Sequence, residues 1–469
     1  MSELLEKLKN YADSDYLPMH MPGHKRRMGD PGNPFFIDIT EIDGFDDLHH
    51  AEGLLRDAQQ RAARLYGSEE THYLVNGSTA GILAAVSGSV PAGGTLLMAR
   101  NCHQSVVHAA LLRGLETVYI YPQSTVEMGI NGPILVEDVD KVLRERTDIR
   151  AVLLTSPTYD GLVSDVEAIA EAAHAHGIPL IVDEAHGAHF PFSDYFPRDA
   201  VSCGADVVVT SLHKTLPSLT QTALIHLNGK LIDREKIQFF LRVYQTSSPS
   251  YVLMAGMDEC IAWISENRAE FDRFGERLTR LRAELRNMKR LKLLEFPGMD
   301  RSRILVSGTL AGLSGGELAV RLREDYHIEP EMAGISYVCG LTSVADREED
   351  LRRLGDAFLR MDAGTEGQEA AEPGYADTAL PEPRRVCPMQ TAFDADAEWV
   401  SLKEACGRVS AGFIVPYPPG ITLLTPGEEI DEAVLQSLAR LPEAGCELRG
   451  VRDGRLRVVK LFIQKYCTV

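Results

Sequence analysis

Seven short runs rich in Val, Ile, Leu and other apolar residues follow one another between residues 71 and 227: THYLV, TLLMA, TVYIY, RAVLLT, PLIVDE, DVVVTS and TALIHL. Several are separated by helix-like stretches, and most are apolar throughout rather than alternating with polar residues. A strand without a polar side has to be covered on both faces, and the covering helices come from crossover connections. The pattern therefore dictates an α/β fold with a mostly parallel sheet between helical layers. Just before the first run, HAEGLLRDAQQRAARLYG reads as a helix with Leu54, Leu55, Ala58, Ala62 and Leu65 on one stripe. Sheets of this kind bind ligands outside the carboxyl ends of their strands, so chemistry is expected in the residues that follow each run.

Beyond the runs, residues 251–290 read as helical and highly charged. RILVSG, an amphipathic helix near 315–325 and ISYVCGLTSV suggest a smaller α/β domain. Residues 362–386, rich in Ala, Glu, Gly and Pro, read as a linker before a last α+β domain that holds the rigid turn PYPPG at 416–420. The expected organisation is an N-terminal segment 1–50, a large domain 51–290, a small domain 291–361, the linker 362–386 and a C-terminal domain 387–469.

A chain of 469 residues with a net charge of −20 has no basic face to offer a nucleic-acid backbone. That charge also attracts a cationic substrate mildly, although solubility accounts for it as simply. The eight cysteines are scattered without a C-x-x-C pair, which excludes a standard zinc knuckle and suits a reducing compartment. The first residues carry no apolar signal core, and no apolar run approaches the roughly 20 residues that span a bilayer. A cytoplasmic protein without a membrane or nucleic-acid partner is expected.

The stretch VDEAHGAH, residues 182–189, ends one of the apolar runs and admits three readings. DEAH is an acidic box of nucleic-acid-dependent ATPases. His186 and His189 beside Asp183 and Glu184 have the donor types of a metal site. An aspartate ending a buried strand also suits the ring nitrogen of a pyridoxal cofactor. The ATPase reading requires a G-x-x-x-x-G-K-[ST] loop upstream, yet the sole Gly-Lys pair, Gly229-Lys230, lies downstream and is followed by Leu. The metal reading conflicts with strand geometry, because adjacent strand residues emerge on opposite faces, and the spacing matches no H-E-x-x-H pattern. No metal site is expected.

The pyridoxal reading requires a lysine on the same side of the sheet. SLHKTLPS, residues 211–218, supplies Lys214 directly after DVVVTS, one strand beyond Asp183 and next to the polar groups of Thr210, Ser211 and His213. LVNGSTAG, residues 74–81, runs from a strand into a helix, so Ser78, Thr79 and free backbone N–H groups form a natural anion site. Taken alone, those hydroxyls suit simple N-capping equally well. RNCHQS places His103 after another strand, where an imidazole either stacks on a ring or caps a helix.

In combination these pieces resemble the fold-type I (aspartate-aminotransferase-like) pyridoxal-phosphate decarboxylases of the ornithine/lysine/arginine family. The matching segments are MPGHKRRMG, ITEIDGFDDLHHAEGLL, YLVNGSTAG, RNCHQS, TSPTYDGLVSD, IVDEAHGAHF and TSLHKTLPSLTQTALIH. WVSLKEACGRVSAGFIVPYPPGITLLTPGEEI resembles the family's C-terminal domain. The resemblance implies that Lys214 carries pyridoxal 5'-phosphate as a Schiff base and that Asp183 pairs with the pyridinium nitrogen. It further implies that His103 stacks on the ring, that Ser78, Thr79, Ser211 and His213 hold the phosphate, and that His186 sits near the phenolic oxygen. The implied reaction is decarboxylation of a basic amino acid, with Lys214 or a nearby histidine returning a proton to Cα. Arginine, giving agmatine for polyamine synthesis, comes first as substrate, with lysine and ornithine behind. Another pyridoxal lyase or aldolase, or a regulatory member without turnover, are the alternatives. The long acid-inducible members carry a wing domain ahead of the cofactor domain. MPGHK begins here at residue 21, so the short biosynthetic form is expected, acting as a homodimer or larger homo-oligomer. Asp160 of TYDG and Glu428 of TPGEE are candidate partners for the distal cation of the substrate.

Overall fold

The computed structural model describes residues 14–20, 23, 25, 34, 37–125, 130–365, 380–417, 420–443 and 447–460. All seven apolar runs form strands of one sheet: β1 (Glu70–Leu74), β2 (Thr95–Ala99), β3 (Glu116–Ile120), β4 (Ile149–Thr155), β5 (Leu180–Asp183), β6 (Val207–Thr210) and β7 (Ala223–Leu227). Their spatial order is β1-β7-β6-β5-β4-β2-β3, with β7 antiparallel to both neighbours and every other pairing parallel. The side-chain period of two splits each strand between two cores. Leu96, Met98, Leu153 and Ile181 join the apolar cluster on one face, and Leu97, Ala99, Leu154 and Val182 the cluster on the other.

The helices that supply those layers include α1 (Leu54–Tyr66), α2 (Gly77–Ser89), α3 (Gln104–Arg113), α4 (Val136–Glu145), α5 (Val166–Ala175) and α6 (Arg234–Tyr244). In α2 apolar and small residues surround the axis, and the helix is buried on nearly all sides. Its Gly88 lets α6 approach closely, since a Cβ there would lie 2.8 Å from the Ile237 backbone. In α1 the buried stripe is Leu55, Ala58, Gln59, Ala62, Ala63 and Tyr66. Leu54, expected on that stripe, is 52% exposed. The face is rotated because Gln59 turns inward and accepts a hydrogen bond from the Tyr73 N–H at 2.9 Å.

After α7 (Tyr251–Glu266) and α8 (Ala269–Leu285) comes a second, antiparallel sheet of β8 (Lys292–Leu293), β9 (Arg303–Ser307), β10 (Met332–Ala333) and β11 (Tyr337–Leu341), in the order β8-β9-β11-β10. It is flanked by α9 (Gly315–Tyr326) and α10 (Glu348–Gly364). Phe274, Leu278 and Leu285 of α8 share one apolar cluster with Leu354 and Phe358 of α10 and with Ile304 and Val306 of β9. Residues expected to open a linker are still folded here. Asp362 lies within α10, and its carboxylate accepts the N–H groups of Lys289, Arg290 and Leu291 at 2.6–3.1 Å. The middle of that expected linker, residues 366–379, lies outside the described residues.

The C-terminal region pairs Ala397–Ser401 with Arg455–Val459 and Val415–Tyr417 with Glu447–Arg449 around its own apolar cluster. It is fixed to the large sheet by a buried ion pair. Arg100, just past β2, donates to both carboxylate oxygens of Glu428 at 2.7 and 3.0 Å and to the Leu423 carbonyl at 2.8 Å. No helix among the described residues is long and apolar enough to cross a membrane.

Candidate active site

β5 ends at Asp183, in the middle of the sheet, paired with Thr155 of β4 and Val209 of β6. One strand over, β6 runs into Ser211 and the helical turn Leu212–Thr215, which presents Lys214 on the same side. Lys214 Nζ lies 3.0 Å from His186 Nε2. On the next strand but one, β1 leads into α2, whose first turn holds Ser78 and Thr79, and the Ser78 hydroxyl lies 2.5 Å from that of Ser211. His103 caps α3, its Nδ1 accepting the Ser105 N–H at 3.2 Å. His213 Nδ1 donates to the Thr222 carbonyl at 2.9 Å. The structure brings all eight sequence-predicted residues, Ser78, Thr79, His103, Asp183, His186, Ser211, His213 and Lys214, to the wall of one cavity of about 290 Å³. A larger cavity of about 560 Å³ beside α1 and α6 contains none of them, so volume alone does not locate the chemistry.

Burial governs the charges. It pushes the Asp183 carboxyl up and the Lys214 amine down, and the attraction between the two opposes both shifts. His103 is driven down to about 4, first by burial and then by Lys214, so its ring is neutral near pH 7. His186 is likewise held well below the usual imidazole range by burial and by the cations around it.

The other residues of VDEAHGAH go elsewhere. Glu184 accepts the Ala200 N–H at 2.8 Å on the far side of the chain, and burial raises its carboxyl well above the normal range. His189 Nε2 sits 3.3 Å from Asp300. Of the two proposed partners for a distal cation, Asp160 lines the cavity, where the Tyr337 hydroxyl donates to it at 2.5 Å and burial pushes it up to about 6. Glu428 does not line it. That carboxylate is consumed by Arg100 and by the Thr425 N–H, because a buried charge demands its own partners.

Sequence reading missed part of the wall and of what stands behind it. Arg303 of β9 donates to His186 Nδ1 at 2.8 Å, and only its charge at the head of an otherwise apolar strand hinted at a role. Tyr417, within the Pro-rich turn, and Ile421, just after it, come from the C-terminal region, where Ile421 bridges His103 and the Gly420 carbonyl accepts the Gln104 N–H at 3.3 Å. Gly23 of MPGHK also reaches the site. Gly23 donates its N–H to the His213 carbonyl at 2.7 Å, and a Cβ there would lie 2.8 Å from the Leu216 carbonyl oxygen, so only glycine lets the segment brace the lysine turn.

Comparison with known proteins places this arrangement. The model of the Orn/Lys/Arg decarboxylase major domain matches residues 3–299, and that of the Orn/Lys/Arg decarboxylase C-terminal domain matches residues 380–452. The chain belongs to the Orn/Lys/Arg decarboxylase family. This family member is 30% identical to an arginine decarboxylase of Bacillus subtilis, over 97% of this chain and 96% of that protein. It is 34% identical to the uncharacterized protein YaaO of the same organism, over 98% of each. Among solved structures, lysine decarboxylase A from Pseudomonas aeruginosa superposes with a TM-score of 0.75 at 19% identity, covering 98% of this chain and 82% of that one. As in its family, the decarboxylase depends on pyridoxal phosphate, and the cavity fits that cofactor. It offers a buried carboxylate, an amine one strand away, and a helix N-terminus with hydroxyls. Asn101 Oδ1 and Thr155 Oγ1 are cavity-lining, buried, and without a hydrogen-bond partner among the described residues, which suits a wall made to receive a polar molecule.

Proposed function

We propose that this decarboxylase converts arginine to agmatine and carbon dioxide for polyamine synthesis, with Lys214 bearing the cofactor and Asp183 tuning it. The observation that carries the reading is the placement of Asp183 and Lys214 at adjacent strand ends on one cavity. Arginine is preferred because relatives that match nearly end to end, from Bacillus subtilis and Bacillus anthracis, are named arginine decarboxylases.

Pyridoxal phosphate bound at Lys214 supplies an electron sink for the pair left when the Cα–carboxylate bond breaks. Asp183, buried at the end of its strand, would serve it as the anion that keeps a ring nitrogen protonated. Ser78, Thr79, Ser211 and His213, with the N-terminus of α2, bind the phosphate. Neutral His103 stacks on the ring face, its imidazole fixed by the bond to Ser105 and backed by Gly420. Lys214 Nζ holds the proton returned to Cα, with His186 Nε2 3.0 Å away to pass it on. Asp160 receives the distal guanidinium, whose charge favours the ionised carboxylate and whose planar fork suits two parallel hydrogen bonds. The working unit in this reading is a homodimer or larger. Phe239 and Val243 on α6 and Ile42 and Phe45 before α1 are 44–53% exposed, apolar side chains that a second copy would cover.

The deciding experiment gives purified protein with pyridoxal phosphate equal amounts of arginine, lysine and ornithine, and identifies the amines by mass spectrometry. Agmatine alone is expected. Cadaverine or putrescine moves the assignment to lysine or ornithine, and cofactor binding without carbon dioxide release overturns the reaction.

A further inference from the structure

Arg303 belongs to the small sheet, yet its guanidinium ends behind the cavity of the large one. Its stem passes Gly161, where φ is +91° and a Cβ would lie 2.7 Å from Arg303 Cγ, so a side chain there would block the passage. Fully buried, the guanidinium donates through Nε to the Tyr159 carbonyl at 3.3 Å and through Nη2 to His186 Nδ1 at 2.8 Å. Nη1 lies 3.7 Å from Asp300 Oδ2, and Asp300 is itself held by the Ser302 hydroxyl at 2.7 Å. A guanidinium has five N–H donors and no acceptor. The nitrogen that faces it at 2.8 Å therefore accepts, and His186 Nδ1 carries no hydrogen. A neutral imidazole with a bare Nδ1 bears its hydrogen on Nε2. That Nε2–H points at Lys214 Nζ, 3.0 Å away, and it can donate there only to a nitrogen lone pair.

We propose that Arg303 is a positioning residue: through His186 it holds Lys214 as an uncharged amine before the cofactor arrives. This rests on the reading of Lys214 as the cofactor-bearing lysine. An amine with an available lone pair is the form that condenses with an aldehyde. The C=N bond forms, and the carbonyl oxygen leaves as water with both amine hydrogens. The groups that face Lys214 divide. Asp183 at the end of β5 and Glu331 between β9 and β11 favour the ammonium, whereas burial and Arg303 on β9 disfavour it. His103 at the head of α3 and His186 are both neutral here and add no charge. Glu331 is in turn engaged by the Tyr159 hydroxyl. Geometry decides between the two sides, because the hydrogen imposed on Nε2 leaves an ammonium no acceptor at His186.

The test begins with wild-type apoprotein carrying 15N-labelled histidine, with His186 assigned by loss of its signals in His186→Gln. Near neutral pH, nitrogen shifts should show a bare Nδ1 and a protonated Nε2. A protonated Nδ1, in either the other tautomer or an imidazolium, overturns the proposal without any need for a variant at Arg303. The second measurement follows condensation of pyridoxal phosphate with apoprotein across pH, by absorbance and borohydride trapping. In Arg303→Met the ring is free to turn its bare nitrogen toward an ammonium, so the midpoint should rise by about one unit. At neutral pH the condensation rate should then fall roughly tenfold. An unmoved midpoint with lower amplitude means a merely structural role. Should Arg303→Met fail to fold, the wild-type shifts still decide. Borohydride-trapped cofactor mapped to a different lysine sinks the assignment of Lys214 and leaves the tautomer result to be judged on its own.

Discussion

The cavity has two kinds of wall. The one built by the large sheet comes from strand ends: Asp183 closes β5, and Lys214, Ser78 with Thr79, and His103 lie within five residues after β6, β1 and β2. The opposite wall is assembled from remote segments: Tyr417 and Ile421 of the C-terminal region line it, with Arg303 of the small sheet and Gly23 bracing from behind. In the proposed reading the first wall carries the chemistry of a pyridoxal decarboxylase, and the second sets protonation and fit. Function written into strand ends is local in the chain, whereas function written into packing is not.

Substitutions that separate the two walls should differ in kind. Lys214→Ala should remove covalent attachment of the cofactor and bring decarboxylation to background while circular dichroism stays native. Normal turnover would end the central assignment. Asp183→Asn should keep the fold and some cofactor but cost at least about a hundredfold in kcat, the scale of losing one preorganised electrostatic partner. Near-native rates would mean that another carboxylate does this work.

Away from the four strand ends of the first wall the losses should appear as stability or affinity. Glu428→Gln leaves Arg100 buried and half-paired, and breaking such a pair costs about 3–5 kcal/mol. Denaturant unfolding should show this as a lower midpoint. An unchanged midpoint would mean that the C-terminal region is held by other contacts. Asp160→Asn should raise KM for arginine about tenfold with little change in kcat, the value of one charge-assisted contact. A fall in kcat instead would place Asp160 with the first wall.

Asp160 also carries a pH signature. Its carboxyl is raised by burial to about 6 from 3.8, so between those values the unfolded chain releases a proton that the folded chain keeps. Substrate-free protein should therefore lose stability as pH rises through that window and level off above it, and Asp160→Asn should flatten this part of the profile. A variant whose profile overlays the wild type would show that the carboxyl is not raised.

The two walls also explain what was legible in the sequence. Strand runs such as RAVLLT and DVVVTS are readable because burial on both faces leaves a continuous apolar signal, and Asp183 and Lys214 stand where those signals stop. Glu428 looked like a candidate for the substrate because nothing in TPGEE reveals that Arg100 is waiting for it. Asp362 looked like the start of a linker because its value lies in three backbone N–H groups more than seventy residues earlier in the chain. Leu54 looked buried because the inward turn of Gln59, which rotates the helix face, depends on a strand not yet placed. In each case the missing information was a partner in another element of the fold.

The Arg100–Glu428 clasp has a consequence for synthesis. The arginine sits between a strand end and His103, and its counter-ion is made 328 residues later. A nascent chain that has already extruded its central sheet thus holds an uncompensated cation beside an unfinished cavity. The buried guanidinium gains this counter-ion only once the C-terminal region has docked on the sheet.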